Sequence, residues 1–255
     1  MTHHFRRITV AVVAACVVVG LTACGSSSSG SDKTYIIASD NAFAPFEYLD
    51  TATNKYVGID IDILDAVAAN QGFKHQVNNI GFDAAMGQVQ AGQAHAMMAG
   101  MNITDARKST FDFSQGYFHD GQVLVVPDAS TVATLDDLKG LSIAAKTSTQ
   151  GATYAQSISE KYGFTLQFYE DSPTMYTAVL NGSNDACFED RSVIGWAIKY
   201  DGLALKTVGD VINPGSYGFA VKKGTNADLL SMFNQGLEAI KADGTYAQIM
   251  AKYGY

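Results

Sequence analysis

The sequence predicts an exported α/β protein of two lobes, and three observations carry that prediction. Short apolar runs with strand character alternate with segments of helical period, the pattern of βαβ units and a mostly parallel sheet. The alternation breaks after residues 94–99 and resumes at 123–126, which gives two α/β units side by side. An apolar N-terminal stretch of secretory type precedes both.

The elements follow in order. Residues 35–38 (YIIA) form a short apolar run bounded by turn residues, a strand. Residues 56–61 lead into a helix over 61–70, where Ile63, Leu64, Val67 and Ala68 recur at helical spacing and Gly72 suits the C-cap. Residues 75–80 read as a strand, 82–91 as a helix closed by Gly92, and 94–99 as a third strand. Beyond the break, 123–126 is strand-like and 134–138 opens a short helix. A strand at 141–145, a helix at 152–162 ended by Gly163, and a strand at 165–169 come next. Ser172 starts a helix with Met175, Val179 and Leu180 at apolar positions, 185–188 is a strand, and 229–241 and 245–253 are C-terminal helices. No repeat of fixed period appears, which argues against a solenoid.

The first 23 residues stand apart from this pattern. Arg6 and Arg7 make a short positive region, and residues 8–21 are almost wholly apolar but short of the roughly 20 residues of a comfortable membrane span. The stretch ends at Leu21-Thr22-Ala23-Cys24. A Cys directly after small residues resembles the bacterial lipoprotein signal, in which that Cys is lipidated and becomes the new N-terminus. The competing reading is an ordinary N-terminal membrane anchor. Residues 25–32 (GSSSSGSD) follow as a flexible tether, so residues 24–33 link the anchor to the fold.

Composition narrows the function. The formal net charge is −8, and removal of residues 1–23 takes away two positive charges and no negative ones, which gives −10. Such a balance argues against nucleic acid and against a polybasic membrane patch. Of three cysteines, Cys16 leaves with the signal and Cys24 carries lipid. Cys187 remains as a small buried hydrophobe, and no internal disulfide is possible in the mature chain. His75, His95 and His119 share no ligand spacing, so no metal site and no cofactor are expected. No catalytic triad is evident, and a cleft between two lobes is a favoured ligand site.

Six segments then carry a resemblance: 38–48 (ASDNAFAPFEY), 57–62 (VGIDID), 99–108 (AGMNITDARK), 111–114 (FDFS), 146–151 (KTSTQG) and 188–190 (FED). Together, in this order and spacing, the chain over residues 34–255 resembles the solute-binding proteins of polar-amino-acid ABC importers, the glutamine-binding type in particular. The resemblance implies the periplasmic-binding-protein (Venus-flytrap) fold, each lobe a mixed, mostly parallel sheet flanked by helices. Lobe one would hold 34–117 plus 218–255 and lobe two 121–214, with crossings at 117–121 and 214–218. Both crossings contain Gly, which can absorb a backbone rotation on closure.

The same resemblance assigns roles. Arg107 matches the α-carboxylate ligand, since a guanidinium fork fits a carboxylate bidentately; its bland alternative is a surface pair with Asp105 or Asp112. Asp190 matches the α-ammonium ligand, against a solvated charge at a strand end. Gly100 and Asn102 would offer backbone groups to the ligand head; the family commonly has Ser or Thr at the Asn102 position. Thr149 and Gln150 precede a helix whose free N–H groups favour an anion, although Thr149 also suits a plain N-cap. Phe43 and Phe82 match the aromatic residues flanking the ligand side chain, against ordinary core, while Phe46, Met86, Met97, Met98 and Met101 read as core. Asp40, Lys146 and Glu189 match positions around the distal end of the ligand, and the glutamine-binding type often has His where this chain has Glu189.

The function implied is a receptor, not an enzyme. It would bind a free L-amino acid as a monomer and deliver it to an ABC transporter permease from a lipid anchor at Cys24 on the outer side of the membrane. Glutamine is favoured, with arginine, lysine or histidine as the alternative. A cyclohexadienyl-dehydratase-like enzyme with Glu189 as its acid, and a sensory receptor for a separate partner, are the competing classes.

Overall fold

The computed structural model describes Thr2 and residues 33–255; the expected signal segment, tether and Cys24 lipidation site lie outside the described residues. The chain runs through β1 (Thr34–Ser39), β2 (Ala42–Phe43), β3 (Glu47–Asp50), β4 (Lys55–Val57), α1 (Ile59–Gln71), β5 (Lys74–Asn79), α2 (Phe82–Gln90), β6 (Ala96–Met97), α3 (Asp105–Lys108) and β7 (Phe111–Phe113). It continues through β8 (Phe118–Pro127), a 3-10 turn (Leu135–Leu138), β9 (Ser142–Lys146), α4 (Gln150–Tyr162), β10 (Thr165–Tyr169), α5 (Ser172–Leu180), β11 (Ala186–Asp190), α6 (Arg191–Tyr200), β12 (Leu205–Tyr217), β13 (Ala220–Lys222), α7 (Ala227–Ala242) and α8 (Thr245–Lys252).

Two five-stranded sheets result, in the orders β5-β1-β6-β13-β7 and β10-β9-β11-β8-β12, with a small ribbon β2-β3-β4 beside them. Each sheet is mixed. The βαβ units supply the parallel pairs, β1 with β5 and β6, and β9 with β10 and β11. Strands arriving from elsewhere in the chain add the antiparallel pairs. Apolar residues fill both faces of each sheet. Ile37, Ile63, Leu64, Phe219, Phe233 and Leu237 pack on one face of the first, and Met97, Met101 and Phe111 lie on its other. The two faces of the second sheet bury Val125, Met175 and Cys187 on one side and Leu124, Ile143 and Phe188 on the other.

Local chemistry sets the helix ends. Gly72 takes the left-handed conformation at the end of α1, and its N–H donates to the Ala68 carbonyl. Thr149 caps α4 by accepting the Ala152 N–H at 3.1 Å, and Gly163 closes the helix left-handed. Asp171 caps α5 by accepting the Thr174 N–H at 2.8 Å.

The chain passes between the sheets beside β8 and β12. The Tyr117 N–H donates to the Tyr217 carbonyl at 2.9 Å, and Asn102 bridges to Tyr217, so the connections run side by side. Gly121 is required there by close approach: a Cβ would stand 2.5 Å from Val211 Cγ1 and 2.8 Å from the Ile212 oxygen.

Several sequence expectations shift in detail. The strand expected at 94–99 shortens to Ala96–Met97, because residues 98–102 turn away toward α3. The segment 56–61 divides, with Gly58 breaking it before α1 begins at Ile59. The ribbon of β2 to β4, the helix α6 and the long strand β12 carried no clear periodic signal. In β12 the reason is visible: register shifts at Val208/Ile212 and Ile212/Gly215 break the alternation that marks a strand.

Candidate ligand-binding cleft

The parallel strands of both sheets end at the same space. Asp40 directly follows β1, Gly100 and Asn102 follow β6, Lys146 closes β9 and Asp190 closes β11. In open α/β sheets the region outside the carboxyl ends of the strands is where ligands bind. A small cavity lies there, lined by Phe43, Phe82, Gly100, Asn102, Arg107, Lys146, Thr149, Gln150, Gly151, Phe188, Glu189 and Asp190. Ten of the eleven residues singled out in the sequence are in that lining. The eleventh, Asp40, is fully buried and reaches the cavity only through its ion pair with Lys146.

Arg107 belongs to no surface pair. Asp105 is taken by Lys108 at 2.9 Å and Asp112 by Lys223 at 2.7 Å. Thr104 caps α3 by accepting the Arg107 N–H at 3.2 Å, which fixes where the side chain departs. Nη1 donates to the Asn102 carbonyl and Nη2 to the Ser148 carbonyl, each at 2.9 Å, and the guanidinium carbon stands 5.3 Å from the Phe82 ring centroid. Burial lowers the Arg107 pKa to about 10, with Asp190 opposing the shift, so the group stays cationic at neutral pH.

Asp190 is buried, where Arg107 is half-buried. Sheet register sets Gln122 opposite it, and Gln122 Nε2 donates to Oδ1 at 2.6 Å. The Tyr217 hydroxyl donates to Oδ2, and Asn102 Nδ2 stands 3.5 Å from the same oxygen. Burial, and after it the charges of Glu189 and Asp120, push the Asp190 pKa up to about 7 against those hydrogen bonds. A cation beside it would hold the carboxylate ionised. Asn102 Oδ1 and Gln150 Oε1 are buried acceptors with no donor, and both residues line the cavity. Such orphans fit a ligand that brings N–H groups. Across the cavity, Thr149, Gln150 and Gly151 form the start of α4, where first-turn N–H groups have no intrahelical acceptor and favour an anion. Thr149 is therefore both a cap and part of the wall.

The distal end differs from expectation in one respect. Asp40 is occupied by Lys146 Nζ and by the Asn41 N–H at 2.7 Å. Glu189 Oε2 accepts from the Ser172 and Tyr176 hydroxyls at 2.6 and 2.8 Å, and Oε1 accepts the Asp190 N–H at 2.9 Å. Three of a carboxylate's roughly four acceptor positions are thus used within its own lobe. Lys146 is buried but lines the cavity at this end. Its ammonium stands 4.5 Å from the Phe43 centroid and 5.6 Å from that of Phe82. Burial alone would lower the Lys146 pKa, but the charges of Asp40 and Glu189 oppose burial and it is held above the ordinary lysine value.

Gln122, Tyr217, Ser172 and Tyr176 hold the two key carboxylates, and sequence reading did not find them. Each acts through register or helix phase across the sheet, which no local motif encodes. Among the described residues no His, Cys, Asp and Glu group is arranged to hold a metal ion, and no helix is long and apolar enough to cross a membrane.

Known proteins share this architecture. The chain is 33% identical to the "Probable histidine-binding protein" of Neisseria gonorrhoeae over 96% of this chain and 94% of that one. It superposes on an ancestral arginine-binding protein bound to arginine with a TM-score of 0.81 at 30% identity, covering 87% and 98% of the two chains. Substrate-binding domain 2 of Lactococcus lactis GlnP, in an open conformation, is 42% identical over 88% and 96% of the chains but gives a TM-score of 0.61. These likenesses confirm the two-domain periplasmic-binding-protein fold with mixed sheets. The sequence pattern of the bacterial extracellular solute-binding proteins, family 3, matches residues 35–255, and the chain belongs to that family.

Proposed function

We propose that this amino-acid-binding receptor of the ABC-transporter class carries a neutral polar amino acid, with glutamine ranked first. The observation that carries the reading is the pair of opposite charges, half-buried Arg107 and buried Asp190, on one small cavity. Arg107 and the start of α4 take the α-carboxylate; Asp190 and Asn102 take the α-ammonium. Phe43 and Phe82 flank the side chain. Residues 34–117 with 218–255 form one lobe and 121–214 the other, and ligand bridges them and favours the closed form.

Lys146 supports the choice of glutamine. It already places a cation between the two aromatic rings, beside Asp40. A second cation from arginine or lysine meets repulsion there, and a buried like-charge contact is several times stronger than in water. A side-chain amide accepts from Lys146 through its oxygen and brings no net charge. The relatives named above include histidine- and arginine-binding proteins, so a basic ligand is the second reading.

The protein is held outside the cytoplasm by lipid on Cys24, acts as a monomer, and passes its ligand to a membrane permease. Its chemistry is binding without turnover. A thermal-shift screen of the purified protein against all amino acids tests the reading. A ligand that binds only the folded state at about 100 times its dissociation constant adds roughly 2.7 kcal/mol. Stabilisation by glutamine with none by glutamate supports the proposal. Stabilisation by arginine or histidine alone selects the second reading, and turnover of arogenate or prephenate overturns the receptor class.

A further inference from the structure

Beneath the cleft lies a second pair of carboxyl groups that the binding reading does not use. Glu47 sits in β3, opposite Phe43 across the ribbon, and Asp60 in the first turn of α1. Both are buried, Glu47 completely. Neither oxygen of Glu47 has a donor, and Asp60 Oδ1 has none, which leaves three orphaned acceptors on two side chains within hydrogen-bonding reach of each other. Asp60 Oδ2 is fully employed: it accepts the Gly100 N–H at 2.8 Å and the Tyr117 hydroxyl at 2.7 Å.

We propose that Glu47 carries a proton at neutral pH and donates it to Asp60 Oδ1, and that this pair is the positioning device for the Gly100 backbone on the cleft. One proton pairs two of the three orphans at once. It also balances charge. The groups facing the pair are Asp40 and Lys146 on the cleft side and Tyr117 from the junction between lobes. With every carboxyl ionised, Asp40, Glu47 and Asp60 face a single lysine, a net −2 in a dry interior; one retained proton makes it −1. Burial, then the charges of Asp60 and Asp40, raise the Glu47 pKa well above the carboxylate range, in agreement with that count.

The consequence reaches the ligand site. Gly100 is left-handed (φ 52°), and a Cβ there would stand 2.4 Å from the Phe43 ring. Its backbone is therefore wedged between the ring and the Asp60 carboxylate. Tyr117 continues the chain of contacts: its N–H donates to the Tyr217 carbonyl, and the Tyr217 hydroxyl donates to Asp190. An Asp60 kept ionised and partnered thus holds both the Gly100–Asn102 turn and the junction. The binding part of this inference rests on the reading that Gly100 and Asn102 face the ligand; the proton assignment does not.

Two measurements test it. Infrared spectroscopy of the purified protein at about pH 8, well above an ordinary carboxyl pKa, should show a protonated carboxyl stretch that Glu47→Gln removes. Absence of that band in the wild type, or its persistence in Glu47→Gln, overturns the assignment, whatever the ligand. Calorimetry with L-glutamine and L-arginine tests the positioning role. Glu47→Gln keeps an N–H donor for Asp60 and should bind within about twofold of wild type, while Glu47→Met leaves Asp60 alone and should bind about tenfold more weakly. Equal binding by the two variants overturns the positioning role. Where Glu47→Met does not fold, or neither amino acid binds wild type, the infrared band in wild type and Glu47→Gln decides the proposal.

Discussion

Replacing Arg107 by alanine removes the group proposed to grip the ligand carboxylate. A guanidinium has five N–H donors. Two are spent on the Asn102 and Ser148 carbonyls. Three remain, enough for a two-pronged grip on a carboxylate. Hydrogen bonds to charged groups contribute roughly 1.5–3 kcal/mol each, so losing two forfeits about 3–6 kcal/mol. That corresponds to roughly two to four orders of magnitude in dissociation constant. Asp105 and Asp112 keep their own lysine partners, so no ion pair is broken elsewhere and the protein should still melt cooperatively. Isothermal titration calorimetry with L-glutamine, beside a thermal melt, is the assay. Affinity within about threefold of wild type would refute the role of Arg107; a non-cooperative melt would instead point to a structural part for the Asn102 and Ser148 bonds.

Further expectations follow from the other charges. Asp190, with its pKa pushed up to about 7, must be ionised to hold an ammonium. Affinity should therefore fall as pH drops below about 7, by up to about one decade per pH unit, and a flat calorimetric profile from pH 5 to 8 would contradict it. The same raised pKa has the opposite sign for the unliganded fold. Its stabilising contribution is complete below the ordinary carboxylate pKa and is lost as pH rises through about 7, which denaturant titrations across that window would register. Lys146→Met leaves Asp40 buried without its partner; the unliganded melting temperature should drop, glutamine should bind more weakly, and arginine should bind better and restore stability. An unchanged order of ligands would remove Lys146 from the specificity argument. Cys24→Ser should release the protein from membranes, because stable attachment needs two or more acyl chains; retention as an uncleaved precursor would favour an N-terminal anchor.

How much of this was legible in the sequence depends on the range over which each feature is encoded. The βαβ pattern gave the parallel strands and their helices, because periodicity is local. Arg107, Asp190 and the aromatic pair stood out through the segments that carry the family resemblance, which the fold gathers around one cavity. What those residues touch was not legible. Gln122 meets Asp190 only through the register of β8 against β11, and Tyr217 reaches it from a strand whose bulges hide its alternation. The sequence places three charges around the distal end without their partners, whereas Asp40 is committed to Lys146 and Glu189 to Ser172 and Tyr176. Such pairing, between the sheets for Asp40 and within one unit for Glu189, is a tertiary fact. Glu47 and Asp60 lie within resemblance-bearing segments, yet their burial without donors becomes visible only once β3 and α1 are packed together.

Calorimetric titration of the purified protein with L-glutamine, L-glutamate and L-arginine at neutral pH tests the central claim most directly. The clamp of Arg107 and Asp190 with Lys146 at the distal end predicts saturable one-to-one binding of glutamine, with arginine weaker and glutamate weakest. Tight glutamate binding, or no heat and no thermal stabilisation from any of the three, would contradict it.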